Sequence, residues 1–124
     1  TMPAARQALH AIREAAPTIP TAILGGHVSA LPERTLREES VDYVIEGEGP
    51  YTLQALLEGG LVDPAKVPGL WWWGDSGRPV RNPPAPLVKD LDGEMPGVAW
   101  DRLPPLAIKQ ANGWHALGHE RRWP

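Results

Sequence analysis

Two short β-rich runs, each closed by glycine, constrain this chain more than any other feature. Thr21-Ala22-Ile23-Leu24 ends at Gly25-Gly26, and Val41-Asp42-Tyr43-Val44-Ile45 stops at Gly47. A continuous apolar run bounded by turn residues suits a strand buried on both faces, as in a parallel sheet. Helical patterns flank and separate the two. Ala5, Ala8, Leu9, Ile12, Ala15 and Ala16 recur at helical spacing, which predicts an amphipathic helix over residues 4–16. Arg6, Gln7, His10, Arg13 and Glu14 are expected to face away, and Pro17 and Pro20 end the helix. Pro32 opens a short second helix, with Glu33 in its first turn and an end near Glu39. Pro50 opens a third, carrying Tyr51, Leu53, Ala55, Leu56 and Leu57 and terminated by Gly59-Gly60.

Helix, strand, helix, strand, helix with short connections predicts an α/β fold with a parallel sheet. Two parallel strands leave apolar faces and edges without neighbours, so further strands are expected upstream. The length of 124 residues allows one modest domain.

Beyond Val67 the texture changes. More than half of the 15 prolines follow Pro68. Leu70-Trp71-Trp72-Trp73 and Arg78-Pro79-Val80-Arg81 flank Gly74-Asp75-Ser76-Gly77, a hairpin signal that sets Trp71 and Trp73 on one face and Trp72 on the other. From Asn82 to Pro105 the chain reads as a proline-punctuated linker. The expected organisation is an α/β segment over 1–66, a tryptophan-rich hairpin over 67–82 and a linker over 83–124.

A net charge of −3 argues against a broad nucleic-acid footprint. With no cysteine, these residues hold neither disulfides nor thiolate metal sites. There is no charged-then-apolar leader and no apolar run approaching about 18 residues, so a soluble, cytoplasmic chain is expected.

Four groups invite a chemical reading. Gly25, Gly26, His27, Val28 and Ser29 fall at the carboxyl end of the first strand, where open α/β sheets bind ligands. Glycine there lets a backbone approach a bulky group; the plainer reading is a tight turn with His27 in solvent. Glu46, Gly47, Glu48 and Gly49 close the second strand. Gly47-x-Gly49 resembles a dinucleotide fingerprint, but Thr52 stands where a third glycine belongs and Glu48 would repel a phosphate. Such a loop can instead offer amides or Glu48 to a polar ligand. His115 and His119 have a spacing that can share a metal, yet Gly118 intervenes and no third ligand is near, so a metal site is not expected. Trp100, Trp114 and Trp123 join the triplet in a density that suits burial against a neighbouring domain. No nucleophile–base pair or carboxylate dyad stands out, so no catalytic residue is assigned.

In order and spacing, these segments resemble the cobalamin-binding domain of cobalamin-dependent radical S-adenosylmethionine enzymes. The resemblance runs from Ile23 through Glu33, from Val41 through Gly49, and over Tyr51-Thr52-Leu53 and Val67-Pro68-Gly69-Leu70. It continues through Asp90-Leu91-Asp92, Pro96, Ala99-Trp100-Asp101, Leu103-Pro104 and Asn112-Gly113-Trp114-His115. It implies a Rossmann-like, five-stranded parallel domain of which this chain holds the last two strands. It further implies that Gly25 and Gly26 line the channel for the cofactor's nucleotide tail, and that His27, Ser29, Gly47, Glu48 and Gly49 border the cobalamin. The cofactor is then cobalamin, held together with an upstream half-domain. The iron–sulfur cluster and S-adenosylmethionine belong to a downstream radical domain, so the chain is not catalytic alone. Neither nucleic acid nor membrane is an expected partner. The alternative is a non-catalytic nucleotide- or partner-binding α/β module, with the tryptophan hairpin as a docking element.

Overall fold

The computed structural model describes residues 2–95 and Gly97. The chain divides into two compact units, Thr1–Val88 and Lys89–Pro124. The first contains α1 (Met2–Ala15), β1 (Ala22–Leu24), α2 (Gly26–Ala30), α3 (Pro32–Glu38), β2 (Tyr43–Ile45) and α4 (Pro50–Ala55). A π-helical turn (Leu56–Gly60), a 3-10 turn (Pro64–Lys66), β3 (Leu70–Trp73) and β4 (Pro79–Arg81) follow. In the second unit, α5 (Leu91–Glu94) is capped by Asp90, whose carboxylate accepts the Gly93 N–H at 3.1 Å. Trp100, Trp114, Trp123, His115 and His119 lie outside the described residues.

The four strands form one sheet in the order β1-β2-β3-β4. β1 and β2 are parallel, with Ile23 opposite Val44. The hairpin does not stand apart: β3 pairs antiparallel with β2, Val44 opposite Trp71 and Ile45 opposite Leu70. The fold is therefore α/β as expected, but the sheet is mixed, with one parallel pair.

Alternation along β2 sorts the core into two layers, because successive side chains point to opposite faces. Val44 joins Leu9 of α1, Val28 of α2, Leu36 of α3 and Val41, with Met2, Ile23 and Trp71 packed against them. Ile45 joins Leu56, Val67 and Leu70, with Tyr43, Ala55 and Trp72 alongside. Trp71 and Trp72 thus fall on opposite faces, as their alternation predicts.

Three local expectations change. Among the described strands β1 lies at the edge, and it is not buried on both faces: Leu24 is 49 % exposed. Residues 26–30 form a helical turn instead of an open loop, begun by Gly25 at φ 141° and closed by the Ser29 N–H donating to the Gly25 carbonyl at 2.8 Å. Arg6 and Arg13 do not face away from the fold. Arg6 grips the buried Glu39 with Nε at 2.9 Å and Nη2 at 2.7 Å, and Arg13 Nη2 donates to Asp42 at 2.8 Å. Both arginine heads thus reach acids on neighbouring segments.

Candidate functional site

The carboxyl ends of β1 and β2 lie side by side, since the strands are parallel neighbours in register. The segments leaving them are joined by Ser29. Its hydroxyl accepts the Gly47 N–H at 3.0 Å and donates to the Gly47 carbonyl at 3.3 Å. Ser29 reaches Gly47 because α2 turns the chain back over the strand ends; an extended exit from β1 would carry it away. The structure thus brings two of the predicted site segments together.

The four candidate glycines are not equivalent. Gly25, Gly47 and Gly49 have φ of 141°, 90° and 95°. A side chain is strained in that region, so backbone conformation alone accounts for glycine at all three. At Gly49 a Cβ would also stand 3.1 Å from Leu24 Cδ1. Gly26 lies outside the positive-φ region, and a Cβ there would meet nothing within 4 Å. Nothing in the fold of this chain requires glycine at position 26.

Other candidates diverge. His27 lines a cleft of about 210 Å³ with Arg6, Arg34, Glu38 and Glu39, the α1–α3 side of the rim. Gly47, Glu48 and Gly49 line a separate cavity of about 150 Å³ with Pro50, Tyr51 and residues 84–87. Glu48 is engaged within the fold: its Oε2 accepts the Val88 N–H at 2.7 Å.

Glu46, the last residue before the glycine loop, belongs to the group singled out in the sequence but had no role of its own there. Its carboxylate accepts from Trp71 Nε1 at 2.7 Å and from Arg81 Nε and Nη2, both at 2.9 Å. Arg81 also sits 5.8 Å from the Trp71 ring centroid. The Arg81 bonds, followed by that of Trp71, outweigh partial burial and hold the Glu46 carboxyl below the usual carboxylate range, while Arg81 is raised by the same pair. This cluster clamps the tryptophan hairpin to the end of β2 and so fixes where the 47–49 loop begins. The signal was an acid at the strand end and an arginine at the hairpin end, with nothing local to link them.

Asp42 performs a similar task at the opposite end of the strands. It accepts the Thr21 N–H at 2.7 Å, the Thr21 hydroxyl at 2.9 Å and Arg13. Burial pushes its carboxyl up, but these bonds outweigh it and the net shift is downward.

A scan against protein-family models finds no match for this chain, and a search of curated proteins finds none either.

Among the described residues, no group of three or more histidine, cysteine, aspartate or glutamate side chains is placed to hold a metal ion. No helix among them is long and apolar enough to cross a membrane. What the rim offers chemically is backbone approach at Gly25 and Gly26, a hydroxyl at Ser29 and an imidazole at His27.

Proposed function

We propose that this chain is the carboxyl-terminal part of a Rossmann-like cobalamin-binding domain from a cobalamin-dependent radical S-adenosylmethionine enzyme. The observation that carries the reading is the open space at Gly26, beside two parallel strand ends that Ser29 joins to Gly47. Ligands of open α/β sheets bind outside the carboxyl ends of the strands, and a glycine with no internal reason to be one leaves room for a close approach. The mixed sheet fits the same picture: among the described residues the outer edge of β1 has no partner strand, which leaves room for further strands, and the hairpin closes the other side of β2.

Gly25 and Gly26 fit a wide, close-lying group, and on this reading they would line the passage of the cofactor's nucleotide tail. Ser29, Gly47 and Gly49 would border it, with His27 at the α3 side and Glu48 at the outer rim. Cobalamin, when bound, supplies a cobalt centre able to carry a methyl group or take part in a radical reaction. The residues of this chain bind and orient; an iron–sulfur cluster needs thiolates, and this chain has no cysteine. The parent reaction would be methyl transfer or a related radical reaction.

Calorimetry on the full-length protein tests the reading against the nucleotide-binding alternative. Hydroxocobalamin is expected to bind, and ADP or NAD is not. Binding of the nucleotide without cobalamin would replace the proposal with a nucleotide-binding module.

A further inference from the structure

The cavity beside Gly47, Glu48 and Gly49 has a wall that is not part of the sheet or its helices. That wall is residues 84–87, a stretch that leaves β4 and crosses the loop. Its near end is firmly held. Asn82 is buried; its side-chain amide donates to the carbonyls of Pro64 and Val67, each at 2.7 Å, and its Oδ1 accepts Trp72 Nε1 at 3.1 Å. Pro83 is fixed next, its carbonyl accepting the Gly69 N–H at 2.7 Å.

Beyond that point the character of the chain changes. Pro84 and Pro86 have no N–H to donate, so the backbone cannot be stitched to the loop at either position. Their rings also restrict φ, which makes the stretch stiff rather than pliant. Pro84, Pro86 and Leu87 are exposed, and Ala85 is half-buried against Gly69. The far end is tied back by one bond from Val88 N–H to Glu48 Oε2 at 2.7 Å, on the surface. A stiff segment with a rigid hinge, small inward contacts and a polar tie at its tip is built like a strap.

We propose that residues 84–88 are a gate over the 47–49 loop, hinged at Asn82-Pro83 and latched by the Val88–Glu48 hydrogen bond. Closed, the strap shares the cavity with the loop. Released, it uncovers Gly49, the buried residue of the loop. That the gate admits cobalamin rests on the function proposed above; its opening does not.

These 124 residues have no cysteine, so a single Ala85→Cys substitution gives them one thiol, on the strap's inner side. Its alkylation rate in the full-length protein, followed on the peptide that carries residue 85 so that cysteines elsewhere do not count, reports how often the strap lifts. Val88→Pro deletes the latch donor without touching the loop, and Glu48→Ala deletes the acceptor. Each is expected to raise the rate about fivefold to tenfold, the effect of losing one charge-assisted hydrogen bond. Glu48→Gln keeps an acceptor oxygen and is expected to stay close to the parent rate. An unchanged urea midpoint in Val88→Pro separates strap opening from unfolding. Equal rates in all four proteins, or a parent thiol as reactive as a free one, would overturn the gate. Faster hydroxocobalamin association in Val88→Pro is the expected consequence for the site. If no variant binds cobalamin but the thiol rates still separate, the gate stands and the cobalamin reading fails.

Discussion

Ser29 and Gly47 exchange two hydrogen bonds across the ends of parallel strands, the Gly47 N–H donating to Oγ at 3.0 Å and the Ser29 hydroxyl donating back at 3.3 Å. Eighteen positions separate them in sequence. One short side chain therefore ties together two glycine segments that the parallel pairing of β1 and β2 brings side by side. Ser29→Ala is expected to speed hydrogen exchange at the Gly47 amide. The same change should lower global stability by about 1 kcal/mol or less, since the pair is exposed and the orphaned groups can turn to water. Exchange that stays as slow as in the parent would deny the serine its role.

Asn82 presents the opposite case. Its side chain satisfies two carbonyls and the Trp72 indole in a largely buried place. Asn82→Ala strands all three partners and should cost about 2–4 kcal/mol by urea unfolding. Asn82→Asp keeps the acceptor for Trp72 but sets a carboxylate against the carbonyls of Pro64 and Val67. It should be at least as damaging at neutral pH.

Much of this was legible in the sequence, and the misses have physical causes. The hairpin could be read from its alternation and turn, but its pairing with β2 could not. Which edge a hairpin chooses is set by the side chains across it, here Val44 against Trp71 and Ile45 against Leu70. The apolar period of α1 marked Leu9 correctly as inward, yet sent Arg6 and Arg13 outward. Periodicity registers apolar atoms and is blind to an acid 33 positions away such as Glu39. The bond between Glu46 and Arg81 is hidden for the same reason, since Arg81 is 35 positions downstream. The four site glycines looked alike in sequence. Only backbone conformation separates Gly25, Gly47 and Gly49, which the chain itself needs, from Gly26, which it does not.

Three carboxyls are held below their ordinary values by partners in the fold. Glu39 is lowered by Arg6, Asp42 by Thr21 and Arg13 against burial, and Glu46 by Arg81 and Trp71 against burial. A depressed folded-state pKa contributes stability above the unfolded pKa and loses it as pH falls through the folded value. The ordinary values are 4.5, 3.8 and 4.5, so the urea midpoint should be level at neutral pH and decline as pH drops below about 4.5. Glu39→Gln should flatten that decline. A midpoint indifferent to acid would contradict the ion-pair account.

Two leucines test the layering of the core. Leu36 is 1 % exposed and sits between α3 and the sheet, so Leu36→Ala should cost about 2–5 kcal/mol. Leu57 is 69 % exposed, and Leu57→Ala should change stability by no more than about 0.5 kcal/mol. Comparable losses at both would mean the face carrying Leu57 is covered in solution.

Gly26 is where the account of function is most exposed to refutation. Among the described residues a Cβ at this position meets nothing within 4 Å and the backbone demands no positive φ, so Gly26→Trp should fold with an unchanged circular dichroism spectrum and urea midpoint. The decisive measurement is corrin absorbance retained after reconstitution of the full-length protein with hydroxocobalamin and removal of the excess. Retention by the parent protein, lost in a well-folded Gly26→Trp variant, is the predicted result. Equal retention by both would remove Gly26 from the site, and no retention by the parent would contradict cobalamin binding altogether.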